Sequence, residues 1–266
     1  MAPAARDSAP SDSVAPPRWI DPTAEIGPET ELGAFVVIGP GVRIGRGCRI
    51  GHHVVIHGGS RIGEGVRVDD HAVIGKRPMR ALRSAVTRTE EVPPAEIGDR
   101  CLIGAHAVVY AGARIGPQVL IADLATVRER VQVGEGTIIG RGVAVENDCF
   151  IGRYCKLETN AYLTAYSTLE DYVFLAPCVA TSNDPFAGRT AERFRHFRGV
   201  TVRRGGRIGV HATILPGVEI GQDALIGAGA LLTRNAEAGL IYKGIPARPS
   251  GPVPEEQRLE NQGWKL

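Results

Sequence analysis

Residues 97–181 read IGDRCLIGAHAVVYAGARIGPQVLIADLATVRERVQVGEGTIIGRGVAVENDCFIGRYCKLETNAYLTAYSTLEDYVFLAPCVAT. Every sixth residue of this stretch is aliphatic: Ile97, Ile103, Val109, Ile115, Ile121, Val127, Val133, Ile139, Val145, Ile151, Leu157, Leu163, Leu169 and Leu175, until Thr181 ends the series. A helix repeats every 3.6 residues and a flat strand every two, so neither gives a strict period of six. Six residues make one short strand and one corner, and three such units close a triangular coil. The stretch therefore predicts an all-β chain, a parallel β-helix of six-residue repeats whose stacked coils bury the aliphatic column.

The same period begins at Ile20 and runs through Ile26, Leu32, Ile38, Ile44, Ile50, Ile56, Ile62, Val68 and Ile74. It lapses over residues 75–96, resumes at Ile97, lapses again over 182–201, and returns through Val202, Ile208, Ile214, Ile220, Ile226 and Leu232. About ten coils with two inserted loops follow over residues 19–238. Residues 1–18, rich in Ala, Pro and Ser, read as a disordered leader, and 239–266 as a C-terminal cap in which PEEQRLENQ forms a short helix over the open end. Glycine usually follows the aliphatic residue, as in IGPGVRIGRGCRIG, and a corner that needs positive φ would account for it.

The 266 residues are 43% hydrophobic with a formal net charge of +2. That balance gives no support for nucleic-acid or anionic-membrane partners. No apolar run approaches a membrane span and the first residues lack a signal-peptide layout, so a cytoplasmic protein is the expectation. Aromatic residues, at 5%, suit a narrow interior that admits branched aliphatic side chains better than rings. Cys48, Cys101, Cys149 and Cys155 all fall two residues before an aliphatic position, which points inward. They read as small buried hydrophobes rather than metal ligands or disulfides, and only Cys178 falls at an outward position.

If neither insertion consumes a repeat, counting by threes assigns each unit to a face. The first face then holds Ile20, Ile38, Ile56, Ile74, Val109, Val127, Val145, Leu163, Thr181, Ile214 and Leu232. The residues that follow these are Asp21, Gly39, His57, Gly75, Tyr110, Arg128, Glu146, Thr164, Ser182, Leu215 and Thr233. From His57 onward this edge trades glycine for polar and aromatic groups, and both insertions leave from it. The outward column three residues before the aliphatic position is expected to hold His53, His71, His106, Asp123, Asn160, Cys178 and His211, so five of the seven histidines fall on one face or its edge. Solvated polar residues would do the same by chance, but the coincidence with both loops favours a site.

The repeats, the run LIGAGALLTRNA and the closing GIPARP (244–249) resemble the left-handed β-helix acyltransferases, which use acyl-CoA or acyl carrier protein. The segment TNAYLTAYSTLEDYVFLAPCVATSND followed by FRGVTVRRGGRIG is similar, more narrowly, to nucleotide-sugar N-acetyltransferases such as those acting on dTDP-3-amino-3,6-dideoxyhexoses. The resemblance implies a homotrimer with active sites between subunits, acetyl-CoA as co-substrate, no metal, and a nucleotide sugar or other small amine as acceptor. It places Arg248 on the CoA phosphates and Ala228, Gly229 and Ala230 along pantetheine. The distant relatives' histidine motif NAHxAH reads Asn160, Ala161, Tyr162 and Ala165 here, with no histidine. The amino-sugar enzymes are thought to work without a strong protein base, so the resemblance gives Glu146 the task of holding and polarising the amine. Asn160 joins it as a catalytic candidate and His57 is a reserve base. Tyr162, Asn183, Asp184 and Arg128 are candidate acceptor contacts.

Two other classes share the fold. A γ-type carbonic anhydrase would bind zinc through three histidines, and His71 and His106 share a column, but the third position is Ala111. A scaffold would keep glycine on all edges. Among transferases, a hydroxyl or a non-sugar amine of a natural-product intermediate is the alternative acceptor.

Overall fold

The computed structural model describes residues 17–88 and 90–263; all but Pro17 and Arg18 of the sequence-predicted leader lies outside them. Those two already join the first coil, since the Phe35 N–H donates to the Pro17 carbonyl at 2.7 Å. The chain is a left-handed parallel β-helix. Its three faces are sheets of eleven, ten and twelve strands, most of them two residues long. The stack thus runs slightly beyond the ten coils that the period suggests, because the C-terminal segment adds strands of its own.

The face assignment by threes holds. Stacked residues are one coil apart in every sheet, as in Ile20↔Ile38 and Val127↔Val145. Across the insertions the same partners are farther apart in sequence but still in register: Ile62 pairs with Ile97, and Leu169 with Val202. Each insertion is therefore a detour from one corner that returns to the next strand. The aliphatic residues line the interior; Ile38, Ile56, Ile74, Ile121, Ile139 and Leu163 are fully buried. Each such burial contributes about 1.5–3 kcal/mol, which explains why so short a strand is held at all. Cys48, Cys101, Cys149 and Cys155 are buried beside them, and desolvation pushes the thiols of Cys149 and Cys155 up to about 12.

The glycine after the aliphatic residue has a different cause from the expected one. Gly45 and Gly134 do not lie at positive φ. A Cβ on Gly45 would sit 2.6 Å from the Gly63 carbonyl carbon, and one on Gly134 2.6 Å from that of Gly152. Close approach of successive coils selects glycine there. Positive φ falls two residues later, at the position three before the next aliphatic residue, and is taken by His53 (55°), His71 (61°), Asn160 (59°) and Gly41 (63°) alike. That column also corrects one expectation: Leu124 (62°), not Asp123, occupies it, while the Asp123 carboxylate turns to accept the Ala105 N–H of the coil before at 2.9 Å.

Thr181, the polar break in the aliphatic column, is buried and keeps the ladder closed by other means. Its hydroxyl oxygen accepts the Thr164 N–H at 2.8 Å and donates to the Tyr162 carbonyl at 3.1 Å. One coil earlier, the Glu146 N–H donates to a backbone carbonyl, that of Leu163, at 2.9 Å. At the C-terminus the repeat is extended rather than abandoned. Leu240–Gly244 adds to the third sheet with Tyr242 buried in the aliphatic position, and Ala247–Pro252 folds back on it antiparallel. PEEQRLENQ forms two 3-10 turns, Glu255–Gln257 and Leu259–Asn261, in place of one helix, and the Leu259 N–H donates to Asp223.

Candidate active-site edge

The first face has two edges. Its leading edge, before each strand, carries the positive-φ column. Its trailing edge, after each strand, carries His57, Tyr110, Arg128, Glu146 and Thr164. Residues on one edge in successive coils stand one above another, so a substitution meets its counterparts one coil up and down. On the trailing edge this builds a charge network. The Arg128 guanidinium grips Glu129 twice, Nε to Oε2 at 2.9 Å and Nη2 to Oε1 at 3.2 Å. Its Nη1 reaches Glu146 Oε2 at 3.4 Å, and its plane lies 4.9 Å from the Tyr110 ring centroid. Lys76 Nζ donates to the Tyr110 hydroxyl at 3.3 Å.

The first insertion folds back over this network. Arg128 Nη2 donates to Thr87 Oγ1 at 3.2 Å, and Asn147 Nδ2 to the Val86 carbonyl at 3.4 Å. Partial burial is the result: the Glu146 side chain is 24% exposed, Arg128 18% and Glu129 0%. Desolvation, with a smaller contribution from Glu129, pushes the Glu146 carboxyl up, and Arg128 opposes the shift without cancelling it. Burial pushes the Tyr162 hydroxyl up as well, and the Glu146 charge adds to it. Next to the network, Arg130 holds Asp148 bidentately at 2.6 and 2.9 Å. Burial would raise Asp148, yet hydrogen bonds from Arg130 and Asn147 outweigh it and hold the carboxyl below the usual range. A groove of about 430 Å³ opens there, lined by Pro93, Arg114, Arg130, Asp148 and Phe150 among others.

The structure brings together Arg128, Glu146 and Tyr162, and separates the other candidates from them. His57 shares the edge but lies four coils from Glu146, about 19 Å at roughly 4.8 Å per coil. Partial burial and the charges of Arg77 and Lys76 hold its imidazole below the usual value. Asn160 stands on the leading edge, across the width of the face from Glu146, with its side chain over Gly142. Asp184 is engaged in the second insertion: it accepts the Phe186 and Gly188 N–H groups, both at 2.9 Å, and lies 3.1 Å from Arg193 Nε. The Asn183 carbonyl accepts the Arg198 N–H at 3.1 Å. Toward the C-terminus Ala230 is buried, while Gly229 lies at positive φ with open space where a Cβ would project. Arg248 is on the terminal hairpin, its Nη1 donating to the Ala247 carbonyl at 3.0 Å. Among the described residues no three His, Cys, Asp or Glu side chains group as a metal-ligand set. His71 and His106 stack face to face, centroids 4.8 Å apart.

Sequence reasoning missed Glu129, Asn147, Lys76 and Thr87. Glu129 and Asn147 directly follow the candidates Arg128 and Glu146, and the period gives no hint that both are fully buried. Thr87 lies in an insertion that carries no period.

Residues 23–58 match the family "Bacterial transferase hexapeptide (six repeats)", and residues 94–122 and 204–234 match "Hexapeptide repeat of succinyl-transferase". The chain resembles the hexapeptide-repeat acyltransferases. A serine acetyltransferase from Buchnera aphidicola subsp. Acyrthosiphon pisum is 38% identical over 61 residues, 23% of this chain and 22% of that protein. The chain thus spans about a fifth of the length of the curated relatives that it matches. Among solved structures, an Arabidopsis UDP-N-acetylglucosamine acyltransferase shares the fold, with TM-score 0.64 and 19% identity over 95% of this chain and 78% of that one. A perosamine N-acetyltransferase from Caulobacter crescentus, in complex with CoA and GDP-perosamine, is 29% identical over 50% of this chain and 56% of that one, with TM-score 0.44. Among the described residues no helix is long and apolar enough to cross a membrane.

Proposed function

We propose that the protein is a CoA-dependent N-acyltransferase that moves an acetyl group from acetyl-CoA to the amino group of a nucleotide-linked amino sugar. The observation that carries this reading is Glu146: a half-buried carboxylate with a raised affinity for protons, held by Arg128 beside Tyr162. The hexapeptide transferase matches support the acyl-transfer class. In this mechanism Glu146 accepts a hydrogen bond from the acceptor amine and orients its lone pair on the thioester carbonyl. The C–N bond forms, the C–S bond breaks, and the amine proton passes to the departing sulfur. Tyr162 and Asn160 flank the sugar from the face and its far edge. Arg128 keeps Glu146 in place, while Asn183 and Asp184 shape the second insertion beside the acceptor. His57, the reserve base, lies four coils away, too far to act on an amine held at Glu146.

Acetyl-CoA lies along the C-terminal coils, with pantetheine passing the open surface at Ala228 and Gly229, its backbone contacts continuing to the buried Ala230, and the phosphates meeting Arg248. A single chain leaves the trailing edge open on one side, and a homotrimer in which a neighbouring prism closes it completes the site. The test is incubation with acetyl-CoA and a panel of dTDP- and UDP-linked amino sugars, following thiol release and the mass of the product. Acetylation of the amine is expected. No turnover across the panel, together with no thermal shift at millimolar CoA, overturns the reading.

A further inference from the structure

The first insertion carries Arg77, Arg80 and Arg88, which the mechanism does not use. It leaves the trailing edge at Lys76, whose Nζ is anchored on Tyr110, and returns to it at Val86 and Thr87, anchored on Asn147 and Arg128. Arg77, Arg80 and Arg88 line one groove of about 340 Å³, together with Pro78, Val92, Glu90 and Glu91. All three arginines are exposed. Arg88 stands 3.9 Å from Glu90, an exposed pair that contributes little, and among the described residues Arg77 and Arg80 make no ion pair. The three arginines outnumber the two carboxylates, Glu90 and Glu91, so the groove is net positive and favours a bound polyanion.

The two sides of the groove differ in chemistry. Guanidinium forks match phosphate oxygens in bidentate geometry. Carboxylates accept hydrogen bonds from hydroxyl groups and disfavour a bare anion. A diphosphate attached to a ribose satisfies both sides, with the diphosphate on the arginines and the ribose hydroxyls on Glu90 and Glu91; sulfate or free phosphate satisfies one. The position also fits. Arg88 follows Thr87, which bonds Arg128, which in turn reaches Glu146. The groove therefore borders the network that holds Glu146.

We infer that the first-insertion groove binds the nucleoside diphosphate part of the acceptor, through Arg77, Arg80 and Arg88. The inference rests on the reading of the acceptor as a nucleotide-linked sugar. CoA also carries a nucleoside diphosphate, so the test separates the two sources. Calorimetric titration of the full chain is carried out with UDP, dTDP and GDP, and separately with CoA, on the natural protein, on Arg77→Ala/Arg80→Ala and on Arg88→Ala. The melting temperature of each variant establishes that it is folded. The expected result is that at least one nucleoside diphosphate binds about tenfold or more weakly to the double variant, while CoA affinity stays within about twofold. Unchanged nucleoside diphosphate affinity in folded variants overturns the groove and leaves the proposed function standing. Weakened CoA affinity instead reassigns the groove to CoA and overturns the inference. Absence of nucleoside diphosphate binding to the natural protein at millimolar concentration, with CoA still bound, removes the nucleotide-linked acceptor and the groove together but leaves the acyltransferase reading in place.

Discussion

The two edges of the first face use the same spacing for opposite ends. On the leading edge Phe35, His53, His71 and His106 occupy equivalent positions in successive coils, and their rings stack at 4.8 Å with interplanar angles of 11°, 3° and 2°. Like groups repeated at the coil spacing touch only their own kind. On the trailing edge the corresponding positions hold unlike groups, so each meets a partner of different chemistry: Tyr110 under Arg128, Arg128 under Glu146. Repetition yields a surface rib, whereas departure from repetition yields coupling between layers, and coupling is what a reactive carboxylate needs.

Substitutions on the two edges should therefore differ sharply. The largest effect is expected at Arg128. Arg128→Ala strips the partner from the fully buried Glu129, and removal of one member of such a pair costs about 3–5 kcal/mol. Denaturant unfolding should show that loss, and acetyl transfer should fall with it. Thr181→Val is next, at about 1–3 kcal/mol, because the Thr164 N–H loses its acceptor in the interior. An unchanged unfolding midpoint in Thr181→Val would mean that the local backbone closes the ladder unaided.

Glu146→Ala is expected to lower turnover of the amino sugar more than it weakens CoA binding. Steady-state kinetics beside CoA titration separate these, and unchanged turnover removes Glu146 from the mechanism. The pH dependence follows from the same group. Since its folded-state affinity for protons is raised, protonation of Glu146 favours folding: its contribution is present below the ordinary value of 4.5 and lost as pH rises through the raised one. The acidic limb of the rate profile should accordingly lie above 4.5, and Arg128→Gln, which removes the opposing positive charge, should move it higher still. The smallest effect belongs to the leading edge. His71→Asn, which suits positive φ, should change stability by under about 1 kcal/mol and leave turnover alone.

The fold was legible because its cause is one-dimensional: a column such as Ile56, Ile74, Val109 and Val127 is buried by its own period, and the register survives both detours. The trailing edge was legible in part for the same reason, since Arg128 and Glu146 stand where the count by threes puts glycine elsewhere. What escaped depends on the third dimension. Glu129 is buried against Arg128, and Asn147 meets the Val86 carbonyl of a loop without periodicity. Asn160 and Glu146 looked like neighbours because they belong to adjacent coils of one face, yet a strand's width separates their corners. Asp184 carries the side chain of a ligand-binding residue, but its carboxylate closes the turn in which it sits.

The return to register after each insertion makes the prism a counting device. A loop of any length is invisible to the coils that follow it, but a deleted repeat is not. Removing one six-residue unit between Ile97 and Val145 would rotate every later strand by a third of a turn, carrying Glu146 and the C-terminal coils onto a different side of the molecule from the first insertion. Removing three units would shorten the prism by one coil and leave every side pointing as before. In this architecture the angular phase of a residue is set by arithmetic on the preceding chain, so change by gain or loss of sequence is tolerated in steps of a whole coil or confined to the corners.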